Sequence, residues 1–186
     1  IYPKAILKNN LIVKDVVSSA SEEILDKFSD IKKQKGFDII VGNPPYFTIK
    51  SSKSIKSDPD FSQLVFGQIN IATLFIGRAH TFLKEGGKVG LLLPKSMLRV
   101  DSYKKLRDFL ISRFIIEEII DVGIEFEDVR GEQFILIASK KQEKTKTIKI
   151  GYFLKDKTIE THQIPFSKIT KFDNFLLLKN KKMYKL

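Results

Sequence analysis

Between residues 69 and 84, Ile69, Ala72, Phe75, Ile76, Ala79, Phe82 and Leu83 recur at the three-and-four spacing of one helical face. This spacing predicts a helix over 69–84, stopped by Gly86-Gly87. The next run, Lys88 to Leu93, is almost continuously apolar, the pattern of a strand covered on both faces, and Pro94 closes it. Residues 37–42 read as a similar buried strand, ending in Pro44-Pro45. A short strand is expected over 10–14, before Asp15, and a helix over 20–34, with Ile24, Leu25 and Phe28 on one side. Residues 101–113 are helical in pattern, with Leu106, Phe109 and Leu110 inward. Residues 115–121 read better as a strand than as an extension of that helix. A bend from Gly123 to Gly131 leads to a strand over 133–139, too near its predecessor for a crossover helix, so these two should pair antiparallel. Strands separated by helices indicate an open α/β sheet.

The stretch from Thr48 to Ser62 breaks this regularity. It is rich in Ser, Lys and Asp with little apolar periodicity, and reads as a mobile loop and a candidate lid. Beyond Lys140 the character changes again. Gln142 to Lys146 is a charged connector, residues 147–154 alternate like a strand, and the remainder is irregular and Lys-rich. The expected organisation is one domain over 1–140 and the beginning of a second over 141–186. No internal repeat is visible.

Charge sharpens that division. Residues 1–139 carry 20 Lys and Arg against 18 Asp and Glu, whereas residues 140–186 carry 13 against 4. A near-neutral body followed by a strongly basic segment suits a nucleic-acid partner, and a solvated Lys-rich surface gives the same count. The absence of cysteine excludes disulfides and thiolate metal sites and is compatible with a cytoplasmic protein. His80 and His162 lie far apart without ligand-like spacing, so no metal centre is expected. No apolar run approaches the length of a membrane span. At 186 residues the chain can form one substantial domain, and its start at Ile1 without a Met suggests a segment of something longer.

The strand over 37–42 runs directly into Asn43-Pro44-Pro45-Tyr46. This turn resembles the catalytic motif of amino-methyltransferases, above all the γ-ordered adenine-N6 DNA methyltransferases of restriction–modification systems. The resemblance covers roughly residues 10–140 and implies part of a Rossmann-like methyltransferase sheet with an antiparallel terminal hairpin. It implies S-adenosylmethionine as cofactor, double-stranded DNA as partner and no membrane. The chemistry suits the residue types. An exocyclic amine is a poor nucleophile because its lone pair is delocalised into the ring. The side-chain carbonyl of Asn43 and the main-chain carbonyl of Pro44 can accept its two hydrogens and return that lone pair to nitrogen. Pro44 and Pro45 preset the backbone direction, and Tyr46 stacks on the base.

By resemblance, Asp15, Asn43 and Phe75 would face the methyl donor, and Phe126 would stack on the other side of an extruded base. Lys50, Lys53 and Lys56 are candidates for phosphate contacts. One departure from the family pattern is plain. No glycine-rich donor loop precedes the turn, where Gly36 is the only glycine before Gly42. The rest of the donor site is therefore expected upstream or on a partner subunit. Two other readings stay open: the same turn serves methylation of a protein glutamine or of ribosomal RNA, and a fragment lacking a donor site can bind DNA without chemistry.

Overall fold

The computed structural model describes residues 14–50, 52–65, 68–123, 131–141, 143–154, 158–171, 174–175 and 177. The strand expected at 10–14 falls mostly outside them. The molecule is built on a six-stranded mixed sheet in the order β1 (Phe37–Gly42), β4 (Leu83–Pro94), β6 (Gln133–Lys140), β5 (Phe114–Gly123), β7 (Thr147–Phe153) and β8 (Ile159–Pro165). β1 pairs parallel with β4, and β5 parallel with β7. β6 is antiparallel to both β4 and β5, as its short connection to β5 requires, and β8 folds back antiparallel on β7. β1, β4 and β5 therefore end at one rim of the sheet, the place where open α/β sheets bind ligands.

Two helices, α4 (Ile71–Phe82) and α5 (Lys104–Arg113), carry the crossovers. Ala72, Ile76 and Ala79 of α4 and Leu106, Phe109 and Leu110 of α5 meet Val89, Leu91, Leu93, Phe134 and Leu136 of the sheet in one core. The periodicity behind these helices is thus a packing face. The opposite side of β1 is different: Ile39 and Val41 are 65% and 76% exposed, and among the described residues β1 pairs only with β4.

Several expectations change. The helix expected over 20–34 is two single turns, α1 (Ser21–Leu25) and α2 (Ser29–Lys33), and Phe28 between them lies edge-on to Phe37 at 5.7 Å. Lys35 and Gly36 then turn through positive φ into β1. A side chain at Gly36 would lie 2.5 Å from the Phe82 carbonyl oxygen. The Gly86-Gly87 pair does not stop α4, which ends at Phe82, with Leu83 already extended. The pair sits in an irregularity where Phe37 faces Leu83 but Ile39 faces Lys88.

The Thr48–Ser62 stretch is not a plain loop. β2 (Thr48–Lys50) pairs with β3 (Gln68–Asn70), and α3 (Lys53–Ser57) is capped by the Ser52 hydroxyl, which accepts from Ile55 N at 3.2 Å. Phe61, Val65, Ile69 and Leu74 form a second small core, with Val17, Ile49 and Ile55 against it. Phe61, Val65, Ile49 and Ile55 carry no period, and Ile69, expected on the helical face, lies instead on β3 and packs here. Downstream, the strand expected at 147–154 is β7, and its parallel ladder on β5 places the first part of the basic segment in the same sheet.

Candidate active site

β1 delivers the Asn43–Tyr46 turn to the rim. Pro44 is buried, Asn43 and Pro45 are exposed, and Tyr46 is half-buried. The Tyr46 hydroxyl lies 2.6 Å from Asn43 Oδ1 and 3.0 Å from the Leu92 carbonyl oxygen, so it can donate to either. Burial raises the phenol's pKa above its ordinary value, and the group stays a neutral donor. The far side of the turn is fastened to α4. Asn70 caps that helix by accepting from Ala72 N at 3.0 Å, while its Nδ2 donates to the Tyr46 carbonyl at 3.1 Å. Ile71 N donates to the Phe47 carbonyl at 2.9 Å. Both ends of the tyrosine are thereby held. The helix expected over 69–84 takes in Asn70, which is instead its cap: an Asn before an apolar periodic run is a cap signature.

Next to the turn lies a cavity of about 290 Å³ with predominantly apolar walls, lined by Val16, Val41, Asn43, Phe75, Ala79 and Leu91 among others. It brings Asn43 and Phe75 to one space, and Asp15 is one residue from its wall. The Asp15 carboxylate is engaged locally: it accepts from Val17 N at 2.9 Å and Ser18 N at 3.3 Å. The Ser18 side chain, then the two backbone amides, hold its pKa below the usual carboxylate value, so it carries charge. Lys50 lies on β2, and Lys53 and Lys56 on α3; all three are exposed and follow the turn. Phe126 lies outside the described residues. No group of three or more His, Asp or Glu able to hold a metal occurs among the described residues.

Two polar clusters went unnoticed in the sequence. At the ends of β4 and β5, Lys95 Nζ lies 2.7 Å from Asp121 Oδ2 and 3.1 Å from Glu132 Oε2, with Lys95 and Asp121 largely enclosed. Beside them Gln133 is buried with neither amide atom hydrogen-bonded. The other cluster surrounds Arg78 on α4, which pairs with Asp58 and Asp60. Its sequence signal was a cation on the apolar stripe of a helix, facing an Asp-Pro-Asp segment.

A family model described as Eco57I restriction-modification methylase matches residues 2–127 of the chain. The chain belongs to this family. Within the Eco57I family, it is 35% identical over 92 residues to the Escherichia coli type II restriction enzyme and methyltransferase RM.Eco57I, a match covering 47% of the chain and 9% of that protein. It is 29% identical over 134 residues to RM.MjaORFECS2P of Methanocaldococcus jannaschii, covering 70% of the chain and 11% of that protein. The chain thus spans about a tenth of the length of these curated relatives. The fold is similar to the crystal structure of the type IIG restriction endonuclease BpuSI, with a TM-score of 0.60 at 19% identity, over 83% of this chain and 21% of that one.

Proposed function

We propose that this Eco57I-family chain is the catalytic part of an adenine-N6 DNA methyltransferase that uses S-adenosylmethionine. The observation that carries the reading is the apolar cavity shared by Asn43 and Phe75, beside a turn whose tyrosine is held at both ends. Its aromatic wall and the charged Asp15 nearby suit an adenosyl group. Phe75 would pack on that group's ring, and Asp15 would accept from its amine. When bound, the donor supplies an electrophilic methyl group.

The rest is the work of this chain's own residues. Asn43 Oδ1 has two lone pairs, so it can accept from a target amine while keeping the Tyr46 hydroxyl. Asn43 and the Pro44 carbonyl together draw the amine hydrogens away from the ring plane and restore its nucleophilic lone pair. Tyr46, fixed by its hydroxyl and by Asn70, presents a rigid face for stacking. Phe126 is assigned the other wall. The amine loses its proton only after it becomes cationic, so no strong base is required.

Double-stranded DNA is the partner in this reading. Lys50, Lys53 and Lys56 lie on the segment that follows the turn, and the basic residues beyond 140 begin a target-recognition region. The exposed Ile39 and Val41 and the one-tenth coverage of the relatives support a donor site completed by further polypeptide, upstream or in a partner subunit. In this reading the enzyme meets its DNA in the cytoplasm. Membership in a restriction-modification family favours DNA over a protein glutamine or ribosomal RNA.

The decisive experiment incubates the full-length protein with methyl-labelled donor and mixed-sequence duplex DNA, then digests the DNA to nucleosides. Label in N6-methyl-2'-deoxyadenosine supports the reading. Label in methylated cytosine overturns the assigned base, and donor binding without any transfer overturns the assigned chemistry.

A further inference from the structure

One helical turn beyond Phe75 on α4, Arg78 is only 2% exposed. Its guanidinium reaches two separate stretches of chain. Toward the cavity, Nε donates to the Val16 carbonyl at 3.0 Å and Nη2 to the Ser19 carbonyl at 2.8 Å. Toward the polar segment, Nη2 donates to Asp58 Oδ2 at 2.8 Å and Nη1 pairs with Asp60. Ser21 joins the two sides, accepting from Nη1 at 2.8 Å and donating to Asp60. The Phe61 ring centroid lies 4.3 Å from the guanidinium carbon. Gly77 keeps the segment close, since a side chain there would lie 2.6 Å from the Asp60 carbonyl oxygen.

A buried cation bound this way resists separation. Pulling away either the carbonyls or the carboxylates leaves charge in a poorly polarisable interior, so both partners are held in one register. The planar fork matters, because an ammonium cannot span two sets of acceptors in the same plane. Val16 is a wall of the 290 Å³ cavity, whereas residues 53–62 contribute nothing to its lining. Those residues nonetheless carry Lys53 and Lys56.

We propose that Arg78 is a positioning residue that couples the donor cavity to the segment following the Asn-Pro-Pro-Tyr turn, so that filling the cavity orders residues 53–62. This rests on the reading of the cavity as the donor site. Ligand that fixes Val16 fixes the carbonyls on Arg78, and Arg78 in turn fixes Asp58 and Asp60. The segment offered to phosphates is therefore held most firmly when the donor is in place.

The test is hydrogen exchange on the full-length protein with and without saturating S-adenosylhomocysteine. In the wild type, exchange is expected to slow over residues 15–21 and also over 53–62. Arg78→Lys is expected to bind the ligand about tenfold more weakly or worse. At saturation its protection stays confined to 15–21. Asp58→Asn, which leaves the carbonyl contacts and the Asp60 pair in place, is expected to keep near-wild-type affinity and show clearly weaker remote protection. Wild-type protection that never reaches 53–62, or that reaches it equally in both variants, overturns the inference. A wild type that does not bind, or a Phe75→Ala variant that binds as the wild type does, overturns the donor reading and this inference with it. If Phe75→Ala weakens binding while both other variants match the wild type, the coupling alone is wrong.

Discussion

The turn after β1 and the cluster at the ends of β4 and β5 occupy the same rim of the sheet but are made of opposite chemistry. The first is neutral: a phenol, two amides and backbone carbonyls hold one another, with the Tyr46 hydroxyl 2.6 Å from Asn43 Oδ1. The second is ionic, with one ammonium between two carboxylates at 2.7 and 3.1 Å. A site that activates an amine benefits from neutral acceptors. They draw on its hydrogens without binding the product cation so tightly that it stays. The ionic cluster joins strand ends, and the backbone repeats the connection where Lys95 N donates to the Glu132 carbonyl at 2.9 Å. On the proposed reading, variation in the first region is expected to change rate and variation in the second to change stability.

The separation can be broken at either end. Lys95→Met leaves the largely enclosed Asp121 carboxylate without its cation and is expected to cost about 3–5 kcal/mol in denaturant unfolding. Its methyl-transfer rate, measured where the variant is still folded, should change little. Asn43→Ala is expected to lower methyl transfer about 100-fold or more, with DNA affinity and unfolding midpoint unchanged, because Asn43 is exposed. A large loss of stability in Asn43→Ala would erase the contrast. Asn70→Ala sits between the two: loss of the cap should cost about 1 kcal/mol. Transfer should fall as well, since the Tyr46 carbonyl loses its 3.1 Å tether.

The smallest effect concerns His80, remote from the rim and packed edge-on against Phe109 and Phe114. Burial, then the charges of Lys140 and Arg113, lower its pKa from 6.5 to about 4. Between those values the unfolded chain binds a proton that the folded chain refuses. Stability should therefore fall as pH drops from about 6.5 toward about 4, and His80→Gln should flatten that slope.

What the sequence made legible was whatever repeats. The α4 stripe, the apolar β4 run and the Phe109-Leu110 face of α5 each advertise an element, because a buried face must recur with the period of its backbone. The turn was legible because the proposed chemistry rests on four consecutive residues. What depended on residues meeting across the chain was hidden. Ile49, Ile55 and Phe61 carry no period yet share a core. Arg78 meets carbonyls 59 and 62 residues away. The parallel pairing of β7 with β5 is a choice among sheet edges that alternation cannot express. Gly86-Gly87 misled for a related reason, since a glycine pair signals an awkward backbone without saying whether a helix or a strand is bent.

The parallel pairing of β1 with β4 has a consequence in time. During synthesis the Phe37–Gly42 run emerges well before its only described neighbour, which starts at Leu83. At about 5–20 residues per second, that strand waits roughly 2–10 s for a partner. Throughout the interval its β-branched residues and unpaired backbone offer a template to any other nascent chain. Asp38 within the strand and the proline pair just after it are the features that interrupt this template. A charge and two prolines at such a strand are the features expected to keep it from seeding aggregation.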